Sequence, residues 1–431
     1  MAPFCWTISL LLMMIQTASA TKLPLGVSIP PRLSLADSNL KFRWCETASI
    51  DESGKIITES ITNTQQLGDQ TYDRSQSPQW MEYIERKEDR LGDEGGAGAY
   101  DTMRCDIVFP ITSKDESNDN VVVWGEDFHL SRLKRSYTAL HNQQDTDQEL
   151  EEAIQDSKKI INHLLSLAKA DAKTIHDLKQ MESSGETFIV LVRVTILWSP
   201  PKQLKSGTCT PLRIRGHACS SFQLQYPSKV PSPMTASLAV QLREDESGRS
   251  QFVIDETMPT RHADPQNKIA SWCRQRKQLQ VTLKNSEIEE VLMVREREDH
   301  KGAKRLEILE GLSSNVFVIL KDGTVRTAAE GCLHGYVRHL VLSLLDQCGL
   351  KFDPRPIFVD ESSEWEEVFI TSSSRLIYPI EEVIIVSSSG NENEAKQFWK
   401  YRYQKSLGAK GQEMQCLALR MQMLRSSGYK M

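Results

Sequence analysis

At 431 residues the chain is long enough for two domains and a sizeable core. Its net charge of −6, from 52 Lys and Arg against 58 Asp and Glu with both signs interspersed, shows no nucleic-acid footprint. Nine cysteines without paired spacing point to reduced thiols rather than a disulfide framework, and no apolar run is long enough to span a bilayer.

Residues 1–20 form a signal-peptide-like segment. An apolar run from Phe4 to Ile15 ends in Ala18-Ser19-Ala20, a small-residue cleavage pattern, although no Lys or Arg precedes it. Residues 21–95 form a transit-like and polar extension. Thr21 to Arg43 carries Lys22, Arg32, Lys41 and Arg43 against one acid, Asp37. Together the two segments read either as a two-part plastid address or as the leader of an ordinary secreted protein. Phe42 to Thr58 is patterned as a hairpin turning at Ser53-Gly54. Residues 60–98 are polar and end in a Gly-rich run without nucleotide-loop spacing, which reads as a connector.

A small α/β domain is expected over 96–198. Its strands run from Ala99 toward Pro110, from Val121 to Trp124 and from Thr187 to Trp198. Its helices run from His129 to Leu140, with Leu130, Leu133, Tyr137 and Leu140 on one stripe, and from Gln148 to Lys169. Residues 199–234, punctuated by prolines, read as an interdomain linker with an exposed insertion. Cys209, His217 and Cys219 fall in it, but no fourth partner is near, so no metal site is assigned.

The large domain is expected over 235–431, opening on a strand from Thr235 to Arg243. A proline-bounded segment then delivers Lys268 ahead of a helix carrying Trp272 and Arg276. Lys284 is the rival lysine, but its polar turn suits a solvated side chain. After a strand from Glu290 to Val294, Glu310 falls in a Gly/Ser-rich turn. Asn315 to Leu320 is a strand, and Asp322-Gly323 turns it into a hairpin. Val337, Leu340, Val341, Leu344 and Leu345 mark one face of a helix that opens at Gly335-Tyr336-Val337 and stops at Gly349. Free N–H groups at that opening make an anion seat. A strand from Glu366 to Thr371 runs into Ser372-Ser373-Ser374, and Asn393 to Tyr429 reads as a helical hairpin.

Glu310-Gly-x-x-Ser-Asn-x-Phe317, then Thr327, then Leu333-x-Gly335-x-x-Arg338 resembles the class IV aminotransferases, the fold-type IV pyridoxal 5'-phosphate (PLP) enzymes. Phe128-His-x-x-Arg132-Leu resembles the family's phosphate-arginine helix. The resemblance implies an α/β (α+β) fold of two domains, a small N-terminal one and a larger C-terminal pseudo-barrel. It implies PLP as cofactor, with Lys268 as the Schiff-base lysine and Glu310 beside the pyridine nitrogen. Arg132, the amides of Tyr336 and Val337, and Ser373 would hold the phosphate. It also implies amino-group transfer between an amino acid and a 2-oxo acid in a homodimer, without nucleic acid or membrane insertion. The alternatives are a lyase of the aminodeoxychorismate type, which releases pyruvate, and a non-catalytic PLP-binding homologue. Two departures bear on the substrate: Trp272 stands one place before the usual tyrosine, and His334 replaces the proline of Leu-Pro-Gly.

Overall fold

The computed structural model describes residues 44–51, 53–60, 64–67, 70–73, 80–81, 84, 98–109, 121–141, 146–174, 188–201, 212–220, 224–225, 231, 233–244, 250–253, 264–283, 288–298, 302–385, 396–400 and 415–427. The signal-like segment, residues 21–43, Cys209 and Lys284 lie outside the described residues. No helix among the described residues is long and apolar enough to cross a membrane.

The first sheet grows around two long strands. Ala99–Phe109 and Phe188–Ser199 pair antiparallel along their whole length, from Ala99 opposite Trp198 to Phe109 opposite Phe188. Phe188–Ser199 is rich in β-branched residues, which suit a pleated surface. The helices Glu126–His141 and Asp147–Thr174 supply Leu130, Leu133, Tyr137, Ile160 and Leu164 to the core that this sheet forms with Val192, Val194 and Trp198. Trp198 also donates from Nε1 to Ser157 Oγ at 2.9 Å, which satisfies a buried donor inside that core.

The domain boundaries differ from the sequence expectation. Trp44–Ile50 and Ile56–Ser60 do form a hairpin, with Gly54 at φ +79°. The hairpin is not part of an extension. Trp44–Ile50 pairs with Arg213–Ser220, and that strand pairs in turn with Phe188–Ser199. The supposed linker therefore contributes an inner strand of the first sheet. Its burial rests on small residues such as Gly216 and Ala218: a Cβ on Gly216 would lie 2.3 Å from Ile160 Cγ2. A strand of small residues between basic ones carries little apolar signal.

The second sheet closes on itself. Asn315–Leu320 pairs with Trp365–Ser372, which pairs with Leu376–Ile385. Leu376–Ile385 runs parallel to Met234–Leu238, which runs parallel to Glu290–Glu298. Glu290–Glu298 pairs with Lys304–Gly311, and Glu310 opposite Asn315 returns the ring to its start. This is the expected pseudo-barrel. Val316, Val318, Ile370, Ile380, Val383 and Leu292 share one of its cores. On the other face, Phe317, Ile319 and Phe369 pack with Val337 and Val341 of the Tyr336–Leu344 helix and Leu419 and Met423 of the Gln415–Ser426 helix. All six residues of Asn315–Leu320 are buried, which is why the strand reads as an unbroken apolar run after Asn315.

Three local expectations are corrected. Glu310 sits at the end of the Lys304–Gly311 strand rather than in a turn, because that strand continues until it closes the ring. The strand expected from Thr235 to Arg243 is two, Met234–Leu238 in the barrel and Gln241–Glu244 in a hairpin with Ser250–Val253. The C-terminal stretch holds the strand Lys396–Lys400 and the Gln415–Ser426 helix. The carboxylate of Glu367 accepts from the Gln415 and Cys416 amides and so caps that helix from the barrel side.

Candidate active site

Lys268 is positioned by its backbone. Tyr100 N–H donates to the Lys268 carbonyl and Ala270 N–H to the Gly98 carbonyl, both at 3.0 Å, with Ala99 bridged to Ile269. The Lys268 N–H donates to Ser136 Oγ at 3.0 Å. The lysine segment is thus stitched to the first sheet and to the helix beside it. Gly98 itself packs close on the Phe188–Ser199 strand, since a Cβ there would fall 2.1 Å from the Trp198 carbonyl oxygen. The Gly-rich run so ends on a glycine with a packing role.

The side chain of Lys268 reaches a buried carboxylate. Its Nζ lies 3.3 Å from Asp101 Oδ1 and 5.1 Å from the centroid of the Tyr100 ring. Arg132 donates to the same carboxylate from Nε (2.7 Å) and Nη2 (2.8 Å), while Nη1 donates to the His334 carbonyl at 3.1 Å. His129 Nδ1 is 3.0 Å from Asp101 Oδ1, so the accepting carboxylate assigns the proton to Nδ1. Burial alone would raise the Asp101 carboxyl. The charges of Arg132 and Lys268, with His129, hold it instead well below the usual carboxylate range. Burial lowers His129, and its buried Nε2 has no hydrogen-bond partner to receive a second proton.

Glu310 is buried at the ring closure and accepts from the Leu333 N–H at 3.0 Å. Opposite it, Asn315 clamps the segment that leads into the helix: Nδ2 donates to the Leu333 carbonyl and Oδ1 accepts from the Gly335 N–H. A Cβ on Gly335 would lie 2.5 Å from Asn315 Oδ1, so this clamp requires glycine. The helix makes its first backbone bond from His339 N–H to the Gly335 carbonyl. The amides of Tyr336, Val337 and Arg338 therefore precede any helical acceptor, as the anion seat demands.

The serine turn is held from several sides. Arg104, which donates from Nε to Asp106, reaches the Ser374 carbonyl with Nη1 at 3.0 Å. Arg420 donates to the carbonyls of Arg375 and Ile377, and Arg375 donates to Glu290 at 3.2 Å. Glu290 also accepts from Leu312 N–H and Ser314 Oγ, which fixes the turn after Glu310.

These pieces meet in one cavity of about 180 Å³, whose walls include Arg132, Lys268, Glu310, Tyr336, Val337 and Ser373. All six sequence-selected residues are brought together. Asp101, Asn315, Thr371 and Arg276 were assigned no role from sequence. Asp101 lies in a strand that also carries Arg104 and Asp106, and a buried carboxylate needs cationic partners. Thr371 has its Oγ1 buried without a hydrogen-bond partner and lines the cavity, leaving a hydroxyl to be satisfied by a bound group. The arrangement can hold an anion near Gly335 and Ser373 and present an amine beside a buried acid.

A family model for amino-transferase class IV matches residues 219–383. A branched-chain-amino-acid aminotransferase of Pseudomonas aeruginosa is 35% identical over 77 residues, 18% of this chain; the match spans about a quarter (25%) of that relative's length. Among solved structures, the PLP form of a branched-chain amino acid aminotransferase from Thermobaculum terrenum has TM-score 0.45 and 14% identity, covering 78% of this chain and 85% of the other. A putative branched-chain amino acid aminotransferase from Thermotoga maritima has TM-score 0.43 and 15% identity, covering 88% and 96%. The stretch that the amino-transferase class IV model matches, 219–383, carries Lys268, Glu310, Tyr336, Val337 and Ser373.

Proposed function

We propose that this chain binds PLP and transfers an amino group between an amino acid and a 2-oxo acid. The single observation that carries the reading is the shared cavity of Lys268, Glu310, Arg132, Ser373 and the open end of the Tyr336–Leu344 helix. The residues fit the group: three helix-start amides lack helical acceptors, Thr371 Oγ1 has no partner, and Gly335 leaves the backbone bare. When bound, the cofactor supplies an electron sink for the carbanion formed at the substrate Cα.

The chain's own residues supply the rest. Lys268 Nζ is the amine for covalent attachment and the group that holds the proton leaving Cα. Glu310 supplies a buried negative charge that would keep a ring nitrogen beside it protonated. The Tyr336 and Val337 amides and the Ser373 hydroxyl would hold the phosphate, and Arg132 would add a fixed positive charge, its Nη1 edge being turned away from Asp101. Placement of Lys268 between the two sheets means that a shift of the first sheet would carry the amine with it.

The assembly in this reading is a homodimer, and the residues before Phe42 act as an organellar or secretory address. Light scattering that finds an active monomer would remove the dimer from the proposal. The activity is tested on purified protein loaded with PLP. A visible absorbance band that an amino acid bleaches and a 2-oxo acid restores is the expected result. Pyruvate released from aminodeoxychorismate without any 2-oxo acid would replace it with the lyase. A band indifferent to every amino acid would leave only binding.

A further inference from the structure

The cavity has a second cationic wall. Arg276 stands on the Ser271–Leu283 helix, one turn beyond Trp272, and lines the same cavity as Lys268. Its Nη1 donates to the Leu312 carbonyl at 3.2 Å, and Trp272 Nε1 donates to that same oxygen at 3.3 Å. Trp272 has spent its only donor there, whereas Arg276 keeps most of its five N–H groups. Arg132 and Lys268 both face Asp101 and share its single negative charge. Arg276, among the described residues, has no carboxylate within ion-pair distance. Glu290 acts on it only through its field, being already engaged by Leu312 N–H, Ser314 Oγ and Arg375.

A short path joins Arg276 to the reacting amine. Lys268 Nζ lies over the Tyr100 ring, Cys273 Sγ donates to the Tyr100 hydroxyl at 3.3 Å, and Cys273 is three residues before Arg276 on the helix. This wall, built from that helix and Tyr100, is distinct from the wall of Gly335 and Ser373. A half-buried guanidinium whose one acceptor is a carbonyl suits a planar anion, because its fork matches a carboxylate.

We propose that Arg276 receives a carboxylate of the substrate and thereby sets the substrate's reacting carbon beside Lys268. The proposal rests on the aminotransferase reading of this cavity. Two carboxylates could meet it, the one next to the reacting carbon or one on the substrate's side chain, and the test separates them.

Cofactor-loaded protein is titrated calorimetrically with glutarate and with 4-methylpentanoate, which carry carboxylates but no amine or ketone to react. Wild-type protein is expected to bind, and Arg276→Gln, which keeps a donor for Leu312, to weaken binding by roughly 10- to 100-fold. Arg276→Lys should recover part of the loss. Weakening of both probes assigns the carboxylate beside the reacting carbon; weakening of glutarate alone assigns the side-chain carboxylate. Equal affinity in Arg276→Gln and wild type, or no binding by wild type, overturns the proposal. So does a variant that melts earlier yet binds both probes normally, since Arg276 would then serve only Leu312. The cofactor absorbance of the same samples keeps the two ideas apart. Its absence from wild type sinks the aminotransferase reading itself, whereas its retention in Arg276→Gln with lost carboxylate affinity isolates the role of Arg276.

Discussion

The Nζ of Lys268 lies 3.3 Å from Oδ1 of Asp101, and Arg132 donates two hydrogen bonds to the same carboxylate. The amine proposed to attach the cofactor and the arginine proposed to attract its phosphate therefore share one buried counter-ion. Removing one member of such a group leaves uncompensated charge in a low dielectric, at a cost of about 3–5 kcal/mol. Asp101→Asn is expected to lower the melting temperature by several degrees and to weaken PLP binding, because the Arg132 fork loses the partner that orients it. Differential scanning fluorimetry and a PLP titration check both. A variant matching wild type in the two measurements would show that Asp101 orients nothing.

The same cluster predicts a pH dependence with two separate windows. Asp101 has a folded value depressed by Arg132, Lys268 and His129 against the burial that would raise it. Its contribution is therefore present above the ordinary carboxylate value and lost only as pH falls through the depressed one. His129 is lowered by burial, so the unfolded chain takes up its proton first. Stability must then decline as pH falls below the ordinary histidine value of about 6.5, toward the folded value. Between pH 7 and 5.5 the melting temperature should drop in wild type and drop less in His129→Asn. An identical slope in both would remove His129 from the acid response.

Lys268 stands out among the lysines of the described residues by its stitched backbone as well as by its place in the cavity. Borohydride reduction of the PLP-loaded protein followed by peptide mapping is expected to place the pyridoxyl group on Lys268. Lys268→Ala should abolish turnover, the proton transfer alone being worth about 10²–10⁴-fold. A pyridoxyl group on Lys284 would move the active amine elsewhere.

Sequence reached the Asn315–Leu320 strand and the anion seat because those parts announce themselves locally, whereas the barrel was implied only by the family resemblance. Val316 to Leu320 is a continuous apolar run, and the helix after Gly335 repeats its apolar face at helical period. The first sheet was harder. Arg213–Ser220 buries Gly216, Ala218 and Cys219, side chains too small to mark a strand, and its flanking prolines argue for a loop. Asp101 escaped for another reason. Its partners come from the Glu126–His141 helix and from Lys268, 167 positions along the chain. Charge neutralisation across that separation has no local pattern. Glu310 was found through its motif, yet its place at the junction of Lys304–Gly311 with Asn315–Leu320 follows from ring closure, which no window of sequence displays.

That junction gives the Glu310 prediction its force. Glu310 is 2% exposed and one of its oxygens accepts from the Leu333 N–H, so its position is fixed by the barrel and does not depend on a ligand. Glu310→Gln retains the size and the acceptor but removes the charge. Phosphate binding depends on other groups, the Tyr336 and Val337 amides, Ser373 and Arg132, so the variant is expected to keep PLP. A neutral amide cannot favour a protonated ring nitrogen as a carboxylate does. The half-reaction with an amino acid should therefore slow by roughly 10²–10³-fold, the scale on which a lost electrostatic contact to a transition state is felt. If Glu310 served only to hold Leu333, the variant would melt earlier and react at the normal rate per bound cofactor. Stopped-flow absorbance under single-turnover conditions, normalised to bound PLP, distinguishes the two, and an unchanged rate would assign Glu310 to the architecture of the ring alone.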